Sequence, residues 1–132
     1  MYATFVTVHS LVRWAVMVIA VVGSLYALYG FISKPEWQPL GDQLSRWFNL
    51  LVGINVIIGS VIWVWRHTLV EFNAFYTVVH PLFMFGALIL AGVMAGRRRR
   101  AEDDAGRWRA LLLGTLIPTI LILLAIPRWA FP

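Results

Sequence analysis

Residues 5–32 read FVTVHSLVRWAVMVIAVVGSLYALYGFI. A bilayer crossing takes about 20 mostly apolar residues, each advancing a helix by about 1.5 Å. The stretch meets that length, and its two groups able to carry charge near neutral pH, His9 and Arg13, sit toward one end. Their turns must face protein or the membrane interface rather than lipid. Working outward, three more apolar stretches follow at about 47–65, 76–95 and 108–125. The connections are short, and short connections favour antiparallel neighbours. The fold expected is therefore all-α. It is an integral-membrane, up-down-up-down four-helix bundle forming a single domain over residues 1–132, with spans at about 5–32, 47–65, 76–95 and 108–125.

Composition agrees. Hydrophobic residues make up 61% of the chain, above the half typical of soluble domains. Cysteine is absent, which excludes a disulfide framework and thiolate chemistry. The N-terminus lacks a basic n-region, and the first apolar stretch is too long for a signal-peptide core, so the first helix is expected to be retained. The net charge is +5, and six of the eleven basic residues fall between Arg97 and Arg109. That clustering reads as a topology signal, with anionic lipid at Arg97–Arg100 as a candidate partner. Nucleic acid is a poor partner, because no soluble face carries the charge.

Between the first two spans, Ser33 to Arg46 contains Pro35, Pro39 and Gly41, and Asp42 is a candidate cap for the second helix. Gly96 to Arg107 reads as a charged linker, solvated through Arg97–Arg100, Glu102, Asp103 and Asp104. Loops on one side carry Lys34, Arg46, Arg97, Arg98, Arg99, Arg100, Arg107 and Arg109; the other side carries Arg13, Arg66 and Arg128. The positive-inside rule then predicts the first side cytoplasmic and both termini outside. Tryptophans at both ends, Trp14, Trp65 and Trp129 against Trp37, Trp47 and Trp108, suit two interfacial belts. Small residues such as Ala20, Gly23, Ala87, Ala91, Gly92 and Gly96 suit close helix approach. Pro118 is expected to kink the fourth span.

Polar residues inside a membrane are costly, so each asks for a reason. His9 and His80 open two spans that run the same way, so they lie at similar depth. Below each runs a stripe at helical spacing: Arg13, Val16, Ala20, Gly23 and Ala27, and Met84, Ala87, Ala91 and Ala95. Imidazole is an axial ligand of haem iron, and small residues beside it leave room for a flat macrocycle. His9 and His80 are therefore candidate metal ligands of haem b, with Arg13, Arg66 or Arg128 available to propionates. Interfacial anchoring and polar glue explain the same residues without a cofactor, and a chlorophyll-type pigment needs only one histidine. Asn55 lies deeper, on a face with Gly59, Ile62 and Arg66, where its amide suits a cross-helix hydrogen bond. Arg13 with a histidine also suits a quinone carbonyl, with Glu71 the nearest acid. His67 reads as interfacial. Hydrolytic motifs and metal spacings such as HExxH are absent.

His9-Ser10-Leu11-Val12-Arg13-Trp14, Asp42, Asn55-Val56-Ile57-Ile58-Gly59, His80-Pro81-Leu82-Phe83-Met84 and Ile126-Pro127-Arg128-Trp129 occur in that order. Together they resemble the HSxxRW, QxxxG, EHPLMM and IPW-type motifs of a family of small four-helix bacterial membrane proteins labelled cytochrome b-like. Here Val79 stands where that family carries an acid, Asn55 where it carries glutamine, and Gly53 where many members carry a histidine. The resemblance implies the four-helix fold in a bacterial inner membrane. The function expected is a small subunit of a respiratory or photosynthetic electron-transfer complex, binding haem b or shaping a quinone site. The alternative is a cofactor-free structural subunit packed against other membrane subunits. Independent catalysis is not expected from a chain with such short loops.

Overall fold

The computed structural model describes residues 1–66 and 73–126 in full and the backbone alone of 67–69. Four long helices make up nearly all of it: α1, Tyr2–Ser33; α2, Pro39–Leu69; α3, His80–Arg100; and α4, Asp104–Ala125. A π-helical turn, Phe75–Val79, leads directly into α3. Among the described residues there is no strand. All four helices are long and apolar enough to cross a membrane.

Contacts between helix ends fix the directions. Tyr2 and Phe5 at the start of α1 meet Trp65 near the end of α2. His80 at the start of α3 bonds Ala125 at the end of α4. Arg98 near the end of α3 bonds Asp42 in the first turn of α2. The bundle thus alternates up and down, with a histidine end and an arginine end. Side by side, α1 packs on α2 and α4, and α3 packs closely on α4 and more lightly on α2.

The helices outrun the apolar stretches that announce them. Helix α2 starts at Pro39, well before the expected 47, so Asp42 sits inside its first turn instead of capping it. Proline suits a first turn because no N–H is needed there. Helix α3 runs on through all four arginines, and α4 starts at Asp104, capped by Asp103, whose carboxylate accepts the Gly106 N–H at 2.8 Å. The charged linker expected at Gly96 to Arg107 shrinks to residues 101–103. Hydropathy marks what lipid can hold, whereas a helix continues through polar residues as long as its backbone bonds do. At about 1.5 Å per residue, a helix the length of α2 spans about 46 Å, more than the roughly 30 Å hydrocarbon core.

The interior is built from small side chains and the exterior from large ones. Ala20, Ala27, Ala87 and Ala125 are fully buried, while Leu25, Ile57 and Ile89 are each over 60% exposed. A soluble protein would not leave so much contiguous apolar surface to water. The small stripes of α1 and α3 do face inward, as their spacing predicts, but Phe48 and Val52 of α2 and Ile122 of α4 fill the space between them. The room expected for a flat macrocycle beside these stripes is therefore taken up by side chains. Pro118 lies buried within α4, which continues through it. Pro118 removes the N–H that would bond the Gly114 carbonyl; the nearby hydroxyls of Thr115 and Thr119 donate instead to the carbonyls of Leu111 and Thr115.

Helix α3 meets α4 closely at Gly114, where an added Cβ would stand 2.8 Å from the Cβ of Met94. That atom is fixed to the backbone and cannot swing away. Gly114→Ala is expected to lose about 1 kcal/mol, overpacking outweighing the gain in helix propensity. Gly92→Ala, with no atom within 4 Å of its added Cβ, is expected to gain up to about 1 kcal/mol from propensity alone. Unfolding in mixed detergent micelles, followed by circular dichroism, should return opposite signs for the two variants.

Candidate functional site

The histidine end gathers polar groups that have no business in hydrocarbon. Helix α4 stops at Ala125, so its last carbonyls lack the N–H groups of a following turn. One of them, the Ala125 carbonyl, is taken by His80, whose Nδ1 lies 2.7 Å away. A carbonyl only accepts, so Nδ1 holds a proton, and a neutral ring would then keep its lone pair on Nε2. His80 is thereby oriented and its tautomer set from behind.

His9 reaches the same place from α1. Its ring centroid is 6.3 Å from that of His80, with the two planes at 74°. It leans on α2 at Gly59, where an added Cβ would come within 3.0 Å of His9 Cε1. The missing side chain at Gly59 opens the helix surface one turn beyond Asn55. Neither His9 Nδ1 nor Asn55 Oδ1 reaches hydrogen-bonding geometry, though both are buried. A buried polar atom left unpaired costs about 1–3 kcal/mol.

Aromatic rings form a roof against His80. Phe75 and Tyr76, both in the π-helical turn, stand 6.2 Å and 6.3 Å from His80 between centroids. The Arg66 guanidinium lies over Tyr76 at 4.7 Å, and Arg13 lies 5.4 Å from the Trp14 ring. Of the residues singled out from sequence, His9, His80 and Asn55 come together directly. Arg66 joins through Tyr76, and Arg13 stays one turn away on α1. Arg128, Trp129, Glu71 and the side chain of His67 lie outside the described residues.

Two contributors escape a sequence reading: the Ala125 carbonyl and the aromatic roof. The carbonyl had a signal, a helix end just before Ile126-Pro127. The roof had only Phe75, in what reads as a loop, and Tyr76, the first residue of the third apolar stretch.

Two histidines with no third histidine, cysteine or carboxylate near enough to share an ion, among the described residues, make a poor site for a bare zinc ion, which takes three or four protein ligands. The two imidazoles, 6.3 Å apart between centroids, could hold a metal only as part of a larger group that brought further ligands of its own.

At the opposite end Arg98 is 5% exposed and bonds Asp42, whose other oxygen accepts the Trp37 indole N–H at 3.2 Å. The expected solvation of Arg97–Arg100 therefore fails at this one residue. Helix phase turns Arg98 inward toward the first turn of α2, while Arg97, Arg99 and Arg100 remain exposed. Compared with known proteins, the chain matches no family model, no curated protein and no solved structure.

Proposed function

We propose that this chain is a small multi-pass subunit of an electron-transfer complex in a bacterial inner membrane, holding haem b between His9 and His80. The observation that carries the reading is His80. Its Nδ1 is committed to the Ala125 carbonyl, and its ring stands 6.3 Å from a second imidazole. Carbonyl-oriented histidines are the usual form of metal-binding imidazole. Asn55 is positioned to do for His9 what Ala125 does for His80, once their buried atoms close to bonding distance. Arg13 and Arg66 supply cations near the same end for propionates. The haem would supply one-electron chemistry; the protein's part is ligation, orientation and exclusion of water.

The orientation proposed with this reading has both termini outside. Lys34, Arg46, Arg97, Arg98, Arg99, Arg100, Arg107 and Arg109 gather at the arginine end, which the positive-inside rule assigns to the cytoplasm. The haem would then lie near the outer surface.

The test is a reduced-minus-oxidised spectrum of protein purified in mild detergent from cells with ample haem. Sharp haem b bands are expected, and they should vanish in both His9→Ala and His80→Ala while circular dichroism stays helical. A colourless, fully helical wild type would sink the reading and favour the cofactor-free structural subunit. A pigment or a quinone would declare itself by its own absorption in the same sample.

A further inference from the structure

The arginine end holds a second feature, independent of the histidine pair. Where α2 and α3 diverge, a cleft of about 480 Å³ opens between them. Helix α2 contributes Ser45, Arg46 and Asn49 to its walls; α3 contributes Gly92, Arg98 and Arg99. Asp42 also borders it, but that carboxylate is already engaged by Arg98 and Trp37. With Asp42 neutralised by Arg98, Arg46 and Arg99 leave the cleft with two uncompensated positive charges.

Arg98 is the second observation. It is buried, and its Nε has no hydrogen-bond partner. A guanidinium is a planar fork of donors suited to two oxygens at once. Here one arm is used by Asp42, while Nε is buried and unmet in a residue that lines the cleft. Gly92 adds the space: nothing stands within 4 Å of where its Cβ would be.

We infer that the α2–α3 cleft is a binding site for a phosphate group that carries net negative charge, with Arg46 and Arg99 at its mouth and Arg98 on its wall. Phosphate supplies several acceptor oxygens and a charge to balance the surplus. Its source is either an anionic lipid headgroup or a soluble phosphate. Basic pockets between membrane helices on the cytoplasmic side are where doubly charged lipid headgroups bind.

The experiment uses the full chain in detergent, with native mass spectrometry and thermal unfolding in the presence of cardiolipin, phosphatidylcholine or inorganic phosphate. Cardiolipin is expected to stay bound and to stabilise, and phosphatidylcholine is not. Arg46→Gln with Arg99→Gln should weaken cardiolipin binding about thirtyfold, from the loss of two charges near the surface. Arg97→Gln with Arg100→Gln, the same loss of charge outside the cleft, should leave it nearly unchanged. Gly92→Leu fills the cleft without touching a charge and should also abolish retention, so it decides the matter if the arginine pair variant does not fold. Stabilisation by inorganic phosphate but not by cardiolipin supports the site and assigns a soluble source; the reverse assigns the lipid. Equal losses in the two arginine pairs would overturn the proposal. So would cardiolipin binding at wild-type strength in folded Gly92→Leu, or no response to either phosphate source.

Discussion

Gly30→Ala is expected to destabilise the bundle by about 2 kcal/mol, unusual for the addition of one methyl group. The reason is Trp108. An added Cβ at Gly30 would lie 2.0 Å from the indole ring, deep within its van der Waals surface. The ring has nowhere to go. It is 1% exposed, meets Tyr26 and Trp37 edge-on at 5.1 Å and 4.7 Å, and donates its Nε1–H to the Pro35 carbonyl at 2.9 Å. Overpacking of a rigid ring costs about 3 kcal/mol, and the better helix propensity of alanine returns about 1. Trp108→Ala should lose about 3 kcal/mol, the lower end for a core aromatic, because lipid provides little of the transfer free energy that water would. What is lost is packing and the bond to Pro35. Denaturation in mixed micelles checks both. The double variant Gly30→Ala with Trp108→Ala should cost less than the sum of the two, since the methyl group then enters the space the indole left. Strict additivity would count against Gly30 as the seat of the ring.

Asp42→Asn is expected to lose about 2 kcal/mol. Breaking a fully buried ion pair costs about 3–5 kcal/mol and an exposed one about 1 or less. This pair lies between: the Arg98 side chain is 6% exposed and that of Asp42 is 48% exposed. Water at the carboxylate screens the attraction, but it does not reach the buried guanidinium once its partner is gone. Arg98→Met with Asp42→Asn should recover most of the loss, since the stranded charge is removed along with the pair. If Asp42→Asn alone is neutral, the link between α2 and α3 does not rest on this contact.

These contacts mark how far the sequence can be read. Four spans are legible because lipid imposes one rule, about 20 apolar residues, and the chain obeys it four times. The inward stripes of α1 and α3 are legible because helical periodicity needs no partner to be seen. The pairing of Arg98 with Asp42 is not, since it depends on which of four consecutive arginines the end of α3 turns inward. Nor is the filling of the small stripes by Phe48, Val52 and Ile122, which requires knowing that α2 and α4 flank the diagonal between α1 and α3. His9 and His80 could be placed at one depth from direction alone. Their meeting across that diagonal depends on a helix end at Ala125 and a bare patch at Gly59, features of tertiary fit that leave only faint local marks.

The π-helical turn at Phe75–Val79 carries one further consequence. A wider turn absorbs an extra residue without lengthening the path, so the helix on its two sides stays in phase. Phe75 and Tyr76 lie within that turn and His80 directly follows it. Loss of a single residue there would close the turn to ordinary α geometry and change only which side chains stand against His80, which would keep its bond to Ala125. The cover over the imidazole and the imidazole itself are thus separately adjustable. Lineages carrying this bundle could retune access to the histidine by insertion or deletion without disturbing its anchorage.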